Sequence, residues 1–99
     1  YRQEIAIAAL DTTTTRALAA QAADELLNIT GIQSSFVLYP QDGTVVVSAR
    51  SIGEANVQVI LEALGGGGNA ATAGAQVKDA TVEQVLDKLV ASIDDYYGS

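Results

Sequence analysis

Apolar positions recur along this chain in two rhythms, one of period two and one of period 3.6, and the two take turns. In "EIAIAAL", residues 4–10, Ile5 and Ile7 stand two apart, as in a strand with one buried face. Thr12 to Thr15 then offer an N-cap for "RALAAQAADELLNI", where Leu18, Ala22, Leu26 and Ile29 recur at helical spacing up to a stop at Thr30-Gly31. "IQSSFVLY" and "GTVVVSAR" are β-branched and aromatic runs joined by "PQDG", which predicts an antiparallel hairpin. Ser51 and Glu54 have capping-box spacing and predict a helix that starts directly after the second of these strands and runs through "ANVQVILEAL" to the glycines. "AQVK" reads as one more strand. Thr81 and Gln84 repeat the capping box ahead of "VEQVLDKLVASIDDYY", where Val82, Val85, Leu86, Leu89, Val90 and Ile93 form an apolar stripe.

The predicted order is β-α-β-β-α-(Gly loop)-β-α, which places the chain in the α/β class: a small mixed β-sheet covered by helices. Ninety-nine residues support one domain with a modest core, so residues 1–99 are read as a single domain. Seventeen alanines against five aromatic residues predict a core of small aliphatic side chains at close approach. Starting at Tyr1-Arg2-Gln3 without a Met, the chain reads as a domain excised from a longer protein.

Twelve acidic and five basic residues give a net charge of −7, which disfavours extended nucleic acid and direct contact with anionic membranes. A small anion is still within reach of locally placed donors. With no Cys and no His, the chain has neither a thiolate nucleophile nor an imidazole base, and no catalytic residue is assigned. Asp24-Glu25 and Asp94-Asp95 read as solvated helix faces rather than metal ligands, so no metal site is expected.

The candidate chemistry centres on Gly65 to Gly68 and Arg50. Gly65-x-Gly67-x-x-Ala70 fits a relaxed dinucleotide pattern, but a helix precedes it where a strand is required, and a Walker loop would need a Lys-Ser/Thr pair that is absent. Two readings stay open for the run: a nest of exposed N–H groups that meets phosphate or a base edge, or a Schellman-type helix stop at Gly65 followed by slack chain. Arg50, beside Ser51 at the expected strand-to-helix junction, is the candidate phosphate ligand, with a salt bridge to Glu54 as the alternative. Ser48, Asn56 and Gln58 lie near this junction and are more simply bonded to solvent or local backbone.

"SSFVLY", "VVVSARSIGEANVQVILEALGGGGN" and "AGAQV" together resemble the C-terminal, DHH-associated domain of the DHH-family phosphoesterases, and within that group the bacterial cyclic-di-AMP phosphodiesterases. The resemblance implies a preceding DHH domain in the same polypeptide, whose Asp and His residues hold two Mn²⁺ ions, with no cofactor in the present domain. It implies that this domain closes over the cleft and grips cyclic di-AMP, or the linear diadenylate formed from it. By that likeness Arg50 engages phosphate and Gly65, Gly66, Gly67 and Gly68 let the backbone approach the substrate, with Ser51 and Asn69 completing the substrate-binding set. Where the family pattern has His after the glycines, this chain has Asn69, which cannot donate a proton with a pKa near neutrality. The location implied is cytoplasmic, with any membrane anchor elsewhere in the parent. Two rivals accompany this reading: a domain of a short-oligonucleotide phosphodiesterase, and a docking or homodimerisation module built on the alanine-rich helix at 16–28. The central expectation is that the amides of Gly65–Gly68 and the Arg50 guanidinium face one common cavity.

Overall fold

A five-stranded mixed sheet organises the computed structural model, which describes residues 4–98. The elements follow the chain as β1 (Ile5–Ala9), α1 (Arg16–Leu26), β2 (Ser34–Gln41), β3 (Thr44–Ser51), α2 (Val57–Glu62), β4 (Gly67–Gly68), β5 (Thr72–Lys78) and α3 (Val82–Tyr96). In space the strands run β1-β2-β3-β5-β4. β1 and β2 are parallel, joined through α1, and every other pair is antiparallel. The predicted fold class and element order hold, with β4 added inside the glycine run.

The sheet is covered on both faces. On one, Phe36, Leu38, Val45, Val47 and Ala49 pack with α2 (Val57, Ile60, Leu61) and α3 (Val85, Leu89, Ile93). On the other, Val37, Tyr39 and Val46 pack with Ala19 and Ala23 of α1. β2 is therefore buried on both sides, which is why "SSFVLY" lacks polar alternation.

α3 matches its sequence signature closely. Thr81 Oγ1 accepts the Gln84 N–H at 3.1 Å while Gln84 Oε1 accepts the Thr81 N–H at 2.9 Å, and Val85, Leu89 and Ile93 are fully buried. Thr81→Ala removes one half of this reciprocal cap and is expected to cost about 1 kcal/mol, read from the urea midpoint at unchanged slope.

α1 departs from its expected stripe. Leu18 is 57% exposed, and the buried face is carried by Ala19 and Ala23 instead. Alanine wins because a helix seated against a sheet already filled by Tyr39 and Val37 has room only for methyl groups, and the Ser35 hydroxyl reaches across to donate to the Ala23 carbonyl at 2.6 Å. Of the small residues assigned to a dimer partner, Ala19 and Ala23 are taken up by the chain's own sheet, and Ala17 stays exposed. The helix also ends at Leu26 rather than continuing to Ile29, its last amides turning back three residues to Asp24, Glu25 and Leu26.

The hairpin is tighter than "PQDG" suggested. Asp42 and Gly43, at φ 53° and 78°, form a two-residue loop of the type that matches strand twist, and Pro40 sits inside β2 opposite Val45. β1 pairs only as far as Leu38, so the missing N–H of Pro40 costs no ladder bond to it.

Candidate functional site

α1 covers β2 and the near side of β3, and leaves the rest of that sheet face open. Alternation along β3 sends Val46, Ser48 and Arg50 to this face, and alternation along β5 sends Thr72, Gly74 and Gln76 there. The result is a cleft of about 760 Å³, floored by β3 and β5, walled on one side by the start of α1 and on the other by Gly65–Gly68. Arg50 and all four glycines of the run line this one cavity. Ser51 and Asn69 do not.

Arg50 is held from several directions. Its Nε lies 3.3 Å from Asp24 Oδ1, and its Nη1 donates to the Ala49 carbonyl at 2.8 Å and reaches the Ser48 hydroxyl at 3.5 Å. The partner is thus Asp24 of α1, not Glu54, which the sequence offered as the alternative. Asp24 is 65% exposed and the Arg50 side chain 18%, so the pair adds little stability, about 0–1 kcal/mol, and its effect is to orient the guanidinium. Sequence distance hid this pairing, because the two residues meet only when α1 crosses the sheet.

The helix predicted to start at Ser51 starts at Asn56. Asn56 Oδ1 accepts the Val59 N–H at 3.3 Å and caps α2, while Ser51 remains in β3, where its N–H donates to the Ala71 carbonyl at 2.9 Å. Strand pairing outcompetes the Ser51/Glu54 signature because β5 supplies a ladder partner as far as Arg50. Consequently Arg50 is not at a helix N-terminus. Ser51, one residue on in the strand, points to the opposite face, where its Oγ accepts the Gly53 N–H at 3.3 Å. Asn56 follows its bland reading, bonded to local backbone and, through its own N–H, to the Tyr96 hydroxyl at 2.9 Å.

The glycine run opens as the helix-stop reading expects. Gly65, at φ 79°, donates to the Glu62 carbonyl at 3.0 Å, and the Gly66 N–H donates to Leu61 at 2.9 Å, which is a Schellman stop. Slack chain does not follow. Gly67 and Gly68 pair with Gly74 and Ala73 as strand β4, and the Asn69 N–H donates to the Thr72 carbonyl at 2.7 Å. By the alternation of an antiparallel ladder, Gly67–Gly74 is the next bonded pair and the Gly68 amide points out of the sheet edge. The expected nest of four bare amides is therefore corrected: the glycines line the cleft chiefly as backbone without side chains. Asn69 Oδ1 accepts the Ala71 and Thr72 N–H groups, each at 2.9 Å, and holds the β4–β5 turn.

The sequence did not single out Arg16, Gly74 or Gln76, which share the lining. Arg16 is an isolated cation with no motif around it. Gly74 and Gln76 became visible only once the register of β5 was known.

The fold is that of a small α/β domain with an open, glycine-edged cleft lined by Arg16 and Arg50. The chain belongs to the DHHA1 domain family, whose pattern it matches over residues 2–99. It is 51% identical over 81 residues to the cyclic-di-AMP phosphodiesterase GdpP of Geobacillus thermodenitrificans, covering 81% of this chain and 12% of that protein. It is 42% identical over 102 residues to the cyclic-di-AMP phosphodiesterase GdpP of Bacillus subtilis, covering 98% of this chain and 16% of that protein. The chain thus spans a small fraction of those relatives. The crystal structure of an exopolyphosphatase-related protein from Bacteroides fragilis superposes with a TM-score of 0.78 at 18% identity, covering 91% of this chain and 28% of that one, which supports the fold. Among the described residues no helix is long and apolar enough to cross a membrane.

Proposed function

We propose that this domain grips the substrate of a DHH-family phosphodiesterase, cyclic di-AMP, and assists its conversion to linear diadenylate. The observation that carries the reading is the Arg50 guanidinium, fixed by Asp24 and the Ala49 carbonyl in the lining of a cleft edged by glycine backbone. Arg50 binds a phosphate as a pre-oriented fork, so little side-chain entropy is lost on binding. The start of α1 and the β4 edge shelter the ligand from water on two sides.

Among the described residues no group of three or more His, Cys, Asp or Glu is placed to hold a metal ion. In this proposal the Mn²⁺ chemistry is supplied by a DHH domain preceding this one in the parent polypeptide.

Calorimetric titration of the 99-residue chain with cyclic di-AMP and with linear diadenylate tests the proposal. Weak, salt-sensitive binding at one site is expected. No heat and no amide shift at millimolar ligand would overturn direct recognition, and tighter binding of short linear oligoribonucleotides than of the cyclic compound would move the assignment to that substrate class.

A further inference from the structure

A second cavity, of about 520 Å³, opens where the described chain enters β1 and leaves α3. It shares no lining residue with the cleft; around it stand Glu4, Gln33, Ser34, Glu54, Tyr96 and Tyr97. Ser34 is the residue the fold leaves unexplained. Its neighbour Ser35 turns to α1 and donates to the Ala23 carbonyl, so by strand alternation Ser34 faces the opposite side of the sheet, where α3 packs. Ser34 is 1% exposed, and its hydroxyl has no hydrogen-bond partner. A buried polar atom left open at a cavity wall calls for an atom from outside the chain.

The charge around it says which kind. Glu4 and Glu54 bring two carboxylates, and among the described residues neither has a cationic partner. α3 ends at this cavity with Asp94 and Asp95 in its last turn and no basic residue, where the partial negative charge of a helix end favours a cation. The aromatic wall is fixed in place. Tyr96 and Tyr97 meet edge to face with ring centroids 5.3 Å apart, and the Tyr96 hydroxyl accepts the Asn56 N–H at 2.9 Å and donates to the Glu54 carbonyl at 3.4 Å.

We infer that this cavity receives a guanidinium group, the side chain of an arginine that a polypeptide partner inserts between the two carboxylates and the tyrosine rings. A guanidinium has five N–H donors and no acceptor, and the wall offers acceptors in the carboxylates of Glu4 and Glu54, the Gln33 carboxamide oxygen and Ser34 Oγ. Its planar, weakly hydrated face packs on tyrosine, and the apolar stem behind it finds room in a cavity far larger than a single ion needs. A bare divalent cation is a poorer match, because among the described residues no group of three or more acidic, His or Cys side chains is placed to ligate one. Anions are repelled by the same two glutamates.

The test is an NMR titration of the 99-residue chain, at fixed ionic strength, with N-acetyl-arginine amide. N-acetyl-citrulline amide, which has nearly the same shape and no charge, and calcium chloride are titrated separately. The arginine probe should shift the Ser34 and Glu54 amides and the Tyr96 ring saturably, with a Kd of about 1–10 mM, and the citrulline probe should bind about tenfold more weakly or not at all. Glu4→Gln and Glu54→Gln should each weaken the arginine probe about three- to fivefold. Glu83→Gln, which removes the same charge in the first turn of α3, should bind it as the unsubstituted chain does. Ser34→Ala should melt at or above the wild-type temperature, since it deletes an unpaired buried hydroxyl, and should bind the probe more weakly. Equal binding of the arginine and citrulline probes overturns the inference. So does calcium shifting these resonances at lower concentration than the arginine probe, or the absence of any saturable shift at tens of millimolar.

Discussion

Gly66→Ala is expected to destabilise the domain by about 3 kcal/mol, the upper end of what overpacking costs. A Cβ at this position would collide with the Gly74 carbonyl oxygen and stand 2.7 Å from the Ala75 Cβ, both parts of β5. Backbone cannot swing aside as a long side chain does, and Ala75 is itself 6% exposed, packed in the core beneath α2. Relief comes only if β4 lifts away from β5, which breaks the edge pairing and strains the Gly66 N–H bond to Leu61 that terminates α2. Gly65→Ala should cost less, about 1–2 kcal/mol, because there the penalty is a single residue forced to φ 79° with open space around it. Urea unfolding of the two variants gives the ordering. A Gly66→Ala midpoint equal to wild type would mean that β4 does not press on β5 as described.

That ordering bears on how much of the molecule could be read from the chain. Element order was legible because each element carries its own period: α3 states its cap at Thr81 and Gln84 and its stripe from Val82 to Ile93, and the structure repeats both. Boundaries were legible only where no partner competed. Ser51 and Glu54 have the chemistry of a helix start, yet a strand neighbour distant in sequence claimed Ser51 through the Ala71 carbonyl, and the cap passed to Asn56. Local propensity lost to pairing.

The site was half legible for the same reason. Arg50 and the glycines stood out by residue type and by resemblance, and the structure brings them to one cleft. What type does not encode is which face each residue takes. Ser51 is adjacent to Arg50 in sequence and on the far side of the sheet in space. Asp24 is twenty-six positions away and in contact with it. The four glycines look equivalent as letters, but the Schellman stop consumes the amides of two, and the ladder then turns Gly67 toward the cleft and the Gly68 amide toward the edge.

Arg50→Ala is expected to weaken diadenylate binding roughly 10- to 150-fold, the equivalent of the 1.5–3 kcal/mol that hydrogen bonds to charged groups supply. Two effects act together. The phosphate loses its fork, and Asp24 keeps a carboxylate that no longer has a cation beside it, at the margin of the same cleft. Removing that second effect in Arg50→Ala/Asp24→Ala should recover part of the loss and never all of it. Arg50→Lys should fall between, since an ammonium keeps the charge and gives up the planar geometry. The salt dependence reports the loss of the guanidinium. Wild-type binding falls as salt rises, because attraction between guanidinium and phosphate at contact outweighs the repulsion from the rest of the chain, and salt weakens it. In Arg50→Ala the net charge is one unit more negative than −7 and Arg16 is the cation left in the lining, so there is less attraction for salt to screen and the salt slope should be shallower than that of wild type. An Arg50→Ala variant that binds as wild type, with the same salt slope, would remove this residue from the phosphate site.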